Sequence, residues 1–326
     1  MRNLHIPGRS NVLGCNGMAA TSQPLSTLEA ISILKKGGNA IDASIAASAV
    51  QSVIEPNSTS IGGDCFALIS IKGQNPISVN GSGIAPFKNN IDFFENNKIN
   101  SITNTSAHSV TIPGAIHAWF SMHQKFGHLD FQELFVTAES YARNGFPIHE
   151  VVANSWSENL KKLRCHPTTK SIFLKNNKPY TFGETHKNTR LADSLNAISK
   201  NGIKDFYEGY IAEDIVKTLN ELGGLHSMED FAKQDTIFSD SVNNIYKNVK
   251  IHQCPPNGPG ITVLMMMAIL EKFNFKNINP LSFERFHLQA EVSKISYEQR
   301  ENNIGDPKFN QFDYKKLIDT DHINHL

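Results

Sequence analysis

Apolar residues recur along the chain at helical spacing, and glycines and prolines break the pattern into segments. Leu25, Leu28, Ile31 and Leu34 fall three residues apart and predict a helix from Pro24. Thr21 or Ser22 can cap it, Lys35 and Lys36 suit its last turn, and Gly37-Gly38 stops it. Asn39 then opens a second helix, Ala40 to about Val53, which Pro56 ends. Ala40, Ala43, Ser44, Ala46, Ala47, Ser48 and Ala49 leave small side chains on nearly every face of it, which suits a helix sandwiched in a core. A polar loop, Asn57–Asp64, precedes two predicted strands, Cys65–Ile71 and Ile77–Asn80, joined by a turn at Gly73-Gln74-Asn75-Pro76. The second strand runs into a tight glycine loop, Asn80-Gly81-Ser82-Gly83. Residues 88–106 read as a surface excursion. Helical periodicity returns over Ile116–Phe126, Phe131–Asn144, Ile148–Leu163, Thr189–Asn201 and Ile211–Leu222, with Gly145, Gly202 and Gly223-Gly224 as stops. A strand, Val249–His252, leads through the stiff loop Cys254–Gly260 into a buried helix, Ile261–Lys272, and a last helix, Phe283–Asn302. The opening residues, with Gly8, Gly14 and Gly17, read as extended chain and turns.

Composition narrows the classes. Of the 326 residues, 40% are hydrophobic and 19% charged, below the roughly 25% charged of an average globular chain. A large core is therefore affordable and disorder as the main state is excluded. Thirty-one basic residues balance 31 acidic ones, which argues against nucleic-acid or polybasic membrane binding. The four cysteines form no CxxC pair and read as thiols of a reducing compartment. Met1–Thr21 holds no long apolar run, so a cytoplasmic location is expected, or a periplasmic one if a leader has been removed. No phosphate-binding glycine loop, HExxH or GxSxG is present, and His117, His123 and His128 do not share a helix face, so neither a metal nor a cofactor is expected. Trp119, Trp156 and Met265–Met267 read as core. No nucleophile–base pair can be assembled from these residues alone.

Several blocks, in one order, resemble the γ-glutamyltranspeptidase family. Gly37-Gly38-Asn39-Ala40-Ile41-Asp42-Ala43, Glu55-Pro56 and Ile61-Gly62-Gly63-Asp64 are similar to its opening signature. Pro113-Gly114 with Phe126-Gly127, Ala142-Arg143-Asn144-Gly145-Phe146-Pro147, and Phe206-Tyr207-Glu208-Gly209 before Gly223-Gly224 follow in register. Pro255–Gly260 resembles its "PPPSSGG", and His287–Glu291 with Gly305-Asp306-Pro307 its "H-x-x-x-E…GDP" stretch.

The resemblance implies an N-terminal-nucleophile hydrolase with an αββα sandwich and a mixed α/β (α+β) fold. This chain would supply the large-subunit part, with a helical lobe at about 113–245. It also implies a precursor that cleaves itself. A Thr at the new N-terminus of the small subunit would be the nucleophile, so no catalytic residue is expected within residues 1–326. The expected partners are that small subunit and a small-molecule amide, and a dimer of heterodimers stays open. Asn80, Gly81, Ser82 and Gly83 map to the substrate-binding loop. Gly62, Gly63, Asp64, Pro256, Asn257 and Gly258 map to the pocket wall, the glycine pair also supplying a turn of positive φ. Where the family's "R-E-T-A-P" places an Arg that clamps the substrate α-carboxylate, this sequence has Ser82. Asn80–Gly83 and Gly62–Phe66 are more similar to the oxamate-amidohydrolase branch. Two substrate classes follow, a γ-glutamyl compound such as glutathione and a short acid amide such as oxamate. A catalytically silent scaffold lacking the small subunit is the alternative.

Overall fold

In the computed structural model the described residues are 12–326, so the turn expected at Gly8 lies outside them. They fall into two units. One comprises the chain up to Asp64 together with Ser82–Asp235, the other Cys65–Gly81 with Thr236–Leu326.

The first unit is helical. Helix α1 (Pro24–Lys35) packs against α2 (Ala40–Ile54). The buried side of α1 is Ser26, Glu29, Ala30 and Ile33, while Leu28 is exposed. The leucine stripe therefore does not mark the inner face. The alanines of α2 admit a close neighbour, and Ser26 Oγ reaches the Ala47 carbonyl at 2.8 Å, a contact a leucine there would block. The cap is also shifted, to Gln23, whose side chain accepts from the Leu25 amide. Ten of the fifteen residues of α2 are buried, against α1 on one side and the Phe131–Asn144 stretch on the other. Ala40, Ser44, Ser48 and Gln51 instead line an open cleft.

Asn39 caps α2 as expected, and Asp42 completes a capping box. Asp42 is fully buried, and its carboxylate takes three backbone N–H groups: Asn39 at 2.9 Å, His128 at 3.1 Å and Leu129 at 3.4 Å. It thereby ties the start of α2 to the turn at His128-Leu129.

Further along lie α3 (Ile91–Asn96) inside the surface excursion, α4 (Ala115–Phe126), α5 (Val136–Asn144) after a 3-10 turn, and α6 (Glu150–Glu158). Gly145 stops α5 with φ +100°. The helix expected over Ile148–Leu163 breaks at Asn159, and 165–182 holds a short helix, Pro167–Phe173, beside a two-residue hairpin. Next come α7 (Thr189–Asn201), α8 (Lys204–Tyr207), α9 (Tyr210–Glu221) and α10 (Met228–Ala232). Trp119 and Trp156 are buried, as expected. Trp156 forms one wall of an aromatic box around His186, with ring centroids at 5.1 Å from Trp156, 5.0 Å from Tyr180, 5.7 Å from Phe146 and 6.0 Å from Phe173.

The second unit holds the sheet. Strands β1 (Cys65–Ile69), β2 (Ile77–Gly81) and β3 (Ile237–Asp240) lie in that order, antiparallel, with Cys65 opposite Gly81 and Asn80 opposite Ile237. β4 (Val242–Tyr246) and β5 (Val249–Gln253) form a hairpin. Its two linking residues, Lys247 and Asn248, have φ of +48° and +65°, the mirror-image turn that matches strand twist. β3 and β4 are absent from the sequence expectation, and they lie at the end of the stretch 113–245. Ile237-Phe238-Ser239-Asp240 and Val242-Asn243-Asn244-Ile245-Tyr246 carry no regular apolar–polar alternation and so do not read as strands. Helices α11 (Gly260–Glu271) and α12 (Phe283–Asn303) pack together. Their core comprises Ile261, Leu264, Met265, Ile269, Val292, Leu317 and Ile323. Met265 is inside it and Met266 lies against it. Phe66, Leu68 and Ile237, on the two outer strands of the sheet, are 41%, 42% and 54% exposed. No described helix is long and apolar enough to cross a membrane.

Two stability predictions follow from these packings. Asp42→Ala leaves three inward backbone N–H groups without an acceptor and should cost about 3 kcal/mol in urea unfolding; an unchanged midpoint contradicts the role given to Asp42. Burial lowers the His186 pKa from 6.5 to about 4. A base whose folded pKa is depressed binds its proton first in the unfolded state. Stability is therefore intact above pH 6.5 and declines as pH falls toward 4, by on the order of 3 kcal/mol. His186→Phe keeps a ring in the box and removes the titrating group, so the wild-type-minus-variant stability difference should fall as pH drops through that window; parallel curves would refute it.

Candidate functional site

The sequence-expected site residues collect into two groups, one in each unit. In the second unit, Asn80 at the end of β2 donates from Nδ2 to Asn257 Oδ1 at 2.8 Å. The loop after β5 is seated against the sheet: Cys254 Sγ reaches the Ala67 carbonyl at 3.5 Å. The ring of Phe66 lies 3.4 Å from where a Cβ on Gly258 would stand. Pro256 and Gly258 are buried and Asn257 is exposed, so this rim presents an amide side chain on a stiff, packed base. Gly81 is buried and closes the strand opposite Cys65.

In the first unit, Gly62, Gly63, Asp64, Ser82 and Gly83 come together. The Gly63 carbonyl accepts from the Gly114 and Ala115 amides at 3.0 and 2.9 Å. It stands in for the missing side-chain cap of α4, so the loop is fixed to a helix N-terminus. Neither Gly62 nor Gly63 has positive φ, contrary to the expectation that they supply such a turn. A Cβ on either would find nothing nearer than 3.7 Å. The space they leave faces outward: Gly62 lines a cleft of about 700 Å³ with Arg190, Phe206, Tyr210, Glu213 and Lys217.

The Ser82–Phe87 stretch follows β2 without being a strand, so its backbone groups need partners outside a ladder. Side chains supply them. Asp64 Oδ1 accepts from the Gly83 amide at 3.1 Å, Gln234 Oε1 from the Ile84 amide at 3.3 Å, and Asp230 Oδ1 from the Phe87 amide at 2.9 Å. Gln234 Nε2 donates to the Ser82 carbonyl at 3.2 Å and to the Asp235 carbonyl at 2.9 Å. The Ile112 amide donates to the Ile84 carbonyl at 2.9 Å. Gly83 has no room for a side chain, since a Cβ would overlap the Ile112 carbonyl oxygen.

Tyr207 braces the adjoining helix start. Its hydroxyl donates to the Pro113 carbonyl at 2.7 Å and accepts from the His117 amide at 3.0 Å. Burial raises its pKa, against the opposing pull of that amide. Burial also lowers the His117 pKa, while the Asp235 carboxylate acts the other way. Ser121 Oγ lies 3.3 Å from His117 Nδ1, a contact that one helical turn of spacing produces. No group of three or more His, Cys, Asp or Glu side chains able to hold a metal occurs among the described residues.

Sequence reasoning missed Gln234, Asp230 and the bracing by Tyr207. Ser227-x-x-Asp230 carries a legible capping-box signal, and the box is present. Nothing local marks the second oxygen of Asp230 for Phe87, or Gln234 for a loop some 150 residues earlier.

The fold defines a class, and comparison with known proteins gives its family. The gamma-glutamyltranspeptidase family model matches residues 26–326, and the chain belongs to that family. It is 31% identical over 317 residues to the glutathione hydrolase-like YwrD proenzyme of Bacillus subtilis, covering 97% of this chain and 60% of that relative's length. The structure matches Helicobacter pylori gamma-glutamyltranspeptidase with a TM-score of 0.89 at 25% identity, over 97% of this chain and 92% of that one. It matches a cephalosporin acylase from Bacillus halodurans with a TM-score of 0.90 at 28% identity, over 99% of this chain and 61% of that one. The mixed helix-and-sheet, N-terminal-nucleophile-hydrolase fold implied by the sequence is thus the one present.

The glycines of the two loops should respond differently to a methyl group. Gly83→Ala forces the loop away from the Ile112 carbonyl and should lower stability by about 2 kcal/mol or more. Gly62→Ala should stay within about 0.5 kcal/mol. Thermal melting of both variants checks this, and equal losses would contradict the steric assignment.

Proposed function

We propose that this chain is the large subunit of a γ-glutamyltranspeptidase-family enzyme acting on a small carboxylated amide, and that its partner is the small subunit of the same precursor. The reading is supported by the family membership, by a relative named as a proenzyme of which this chain spans 60%, and by the apolar side chains left exposed on the outer strands β1 and β3.

The chemistry would run as follows. The hydroxyl of the small subunit's N-terminal Thr attacks the amide carbonyl, and its proton passes to the Thr's own α-amine. An amine of pKa about 8 is roughly one-tenth unprotonated at pH 7, enough for it to serve as the base without a histidine. The C–N bond breaks as the leaving amine takes that proton, giving an acyl ester, and water or a second amine then takes the acyl group. Backbone N–H groups would hold the oxyanion. The large subunit would contribute substrate-binding and pocket-wall residues, which the family resemblance maps to Asn80–Gly83, Gly62–Asp64 and Pro256–Gly258.

The observation that carries the substrate class is Ser82. A guanidinium binds a carboxylate through two parallel charged hydrogen bonds, and a hydroxyl offers one neutral bond. A loop with serine there suits a short acid amide such as oxamate better than a γ-glutamyl donor. The test is to assay the full processed precursor with oxamate and with a γ-glutamyl anilide. Oxamate turnover is expected to dominate, and Ser82→Arg is expected to lower KM for the anilide by about tenfold. Ordinary turnover of the anilide alone by the parent enzyme would contradict the assignment.

A further inference from the structure

We propose that Gln234 is a positioning residue that fixes the backbone of Ser82–Ile84 in the substrate-facing loop, and thereby sets the enzyme's affinity for its amide substrate. The proposal rests on the reading of Asn80–Gly83 as that loop.

The argument is one of hydrogen-bond accounting. Ser82–Ile84 has left the β-ladder and is half-buried, so water does not freely replace the partners it has lost. Asp64 holds the Gly83 amide, and Asp230 the Phe87 amide just beyond the stretch. Gln234 alone among these side chains engages both a carbonyl and an amide. Its Nε2 donates to the Ser82 carbonyl and its Oε1 accepts from the Ile84 amide, so one planar group spans the residues on either side of Gly83. The orientation of the amide is dictated by its partners, because two carbonyls require a donor and an N–H requires an acceptor. A second donation, to the Asp235 carbonyl, anchors Nε2 to its own backbone, and the side chain is 6% exposed, so it has little freedom to release the loop. On the opposite side Gly83 sits against the Ile112 carbonyl, and the Ile112 amide holds the Ile84 carbonyl. The loop is therefore gripped from two directions, with Ser82 carried at its edge. A carboxylate in place of the amide keeps the acceptor and loses the donor, and an aliphatic side chain loses both.

The experiment compares Gln234→Leu, Gln234→Glu and Ser82→Ala with the parent, each as the full processed precursor. It measures hydrogen exchange over residues 82–87, melting temperature, and KM and kcat for oxamate and the γ-glutamyl anilide. Gln234→Leu is expected to speed exchange of the Ile84 amide by about tenfold or more without a general rise elsewhere. KM should rise about tenfold with kcat within about twofold. Gln234→Glu is expected to keep the Ile84 amide protected while still raising KM, separating the two contacts. Unchanged exchange at Ile84, unchanged KM in Gln234→Leu, or a joint fall of kcat and melting temperature would overturn the proposal. If Ser82→Ala leaves KM unmoved while Gln234→Leu raises it, the carboxylate role of Ser82 fails and the positioning by Gln234 stands. The converse result sinks Gln234 and leaves the loop assignment intact.

Discussion

Between Ser82 and Phe87 the chain leaves its strand while Ser82, Gly83, Ile84 and Pro86 stay wholly or partly shielded from water, and its polar backbone groups must find partners among side chains. Asp64, Gln234 and Asp230 supply them from three separate stretches of sequence. Much of the first unit can be read as support for this arrangement. Asp64 follows the glycine pair whose carbonyl caps α4. Tyr207 ties the same helix start to Pro113. Asp230 is held by the capping box of α10, its second oxygen taking the Ser227 amide while the first takes Phe87. A loop held this way can present a small side chain at a fixed place without a ladder beneath it.

The same stretches are where the chain passes from one unit to the other, after Asp64, before Ser82 and after Asp235. The strands that follow or precede them, β1, β2 and β3, are neighbours in one sheet. Within that sheet, one-residue slippage would turn the apolar set of a strand to the wrong face.

What could be read from the sequence, and what could not, divides along physical lines. Caps and stops were legible because they are local: Asn39 before α2, Gly145 after α5, and the ends of α7 within a residue. The inner face of α1 was misread because burial is decided by the neighbour, and an alanine-rich α2 selects Ser26 and Ala30 over Leu28. β3 and β4 were missed because Ile237–Asp240 and Val242–Tyr246 lack period-2 alternation, so only the partner strand marks them as sheet. At the site, the glycine loops and the proline loop were visible as motifs. The residues that hold them were not, since Gln234 lies about 150 positions from the amide it accepts from, and a lone buried glutamine has no pattern.

The account stands on this chain being one of two polypeptides made from a single precursor, the other bearing the reactive hydroxyl and amine at its new N-terminus. The most direct measurement is to express the uninterrupted coding sequence and determine by mass spectrometry and N-terminal sequencing which chains the purified protein contains. The prediction is two chains that co-purify, the shorter beginning with threonine. A single uncut chain that nonetheless turns over the amide, or a cut that exposes a residue with no nucleophilic side chain, would contradict it.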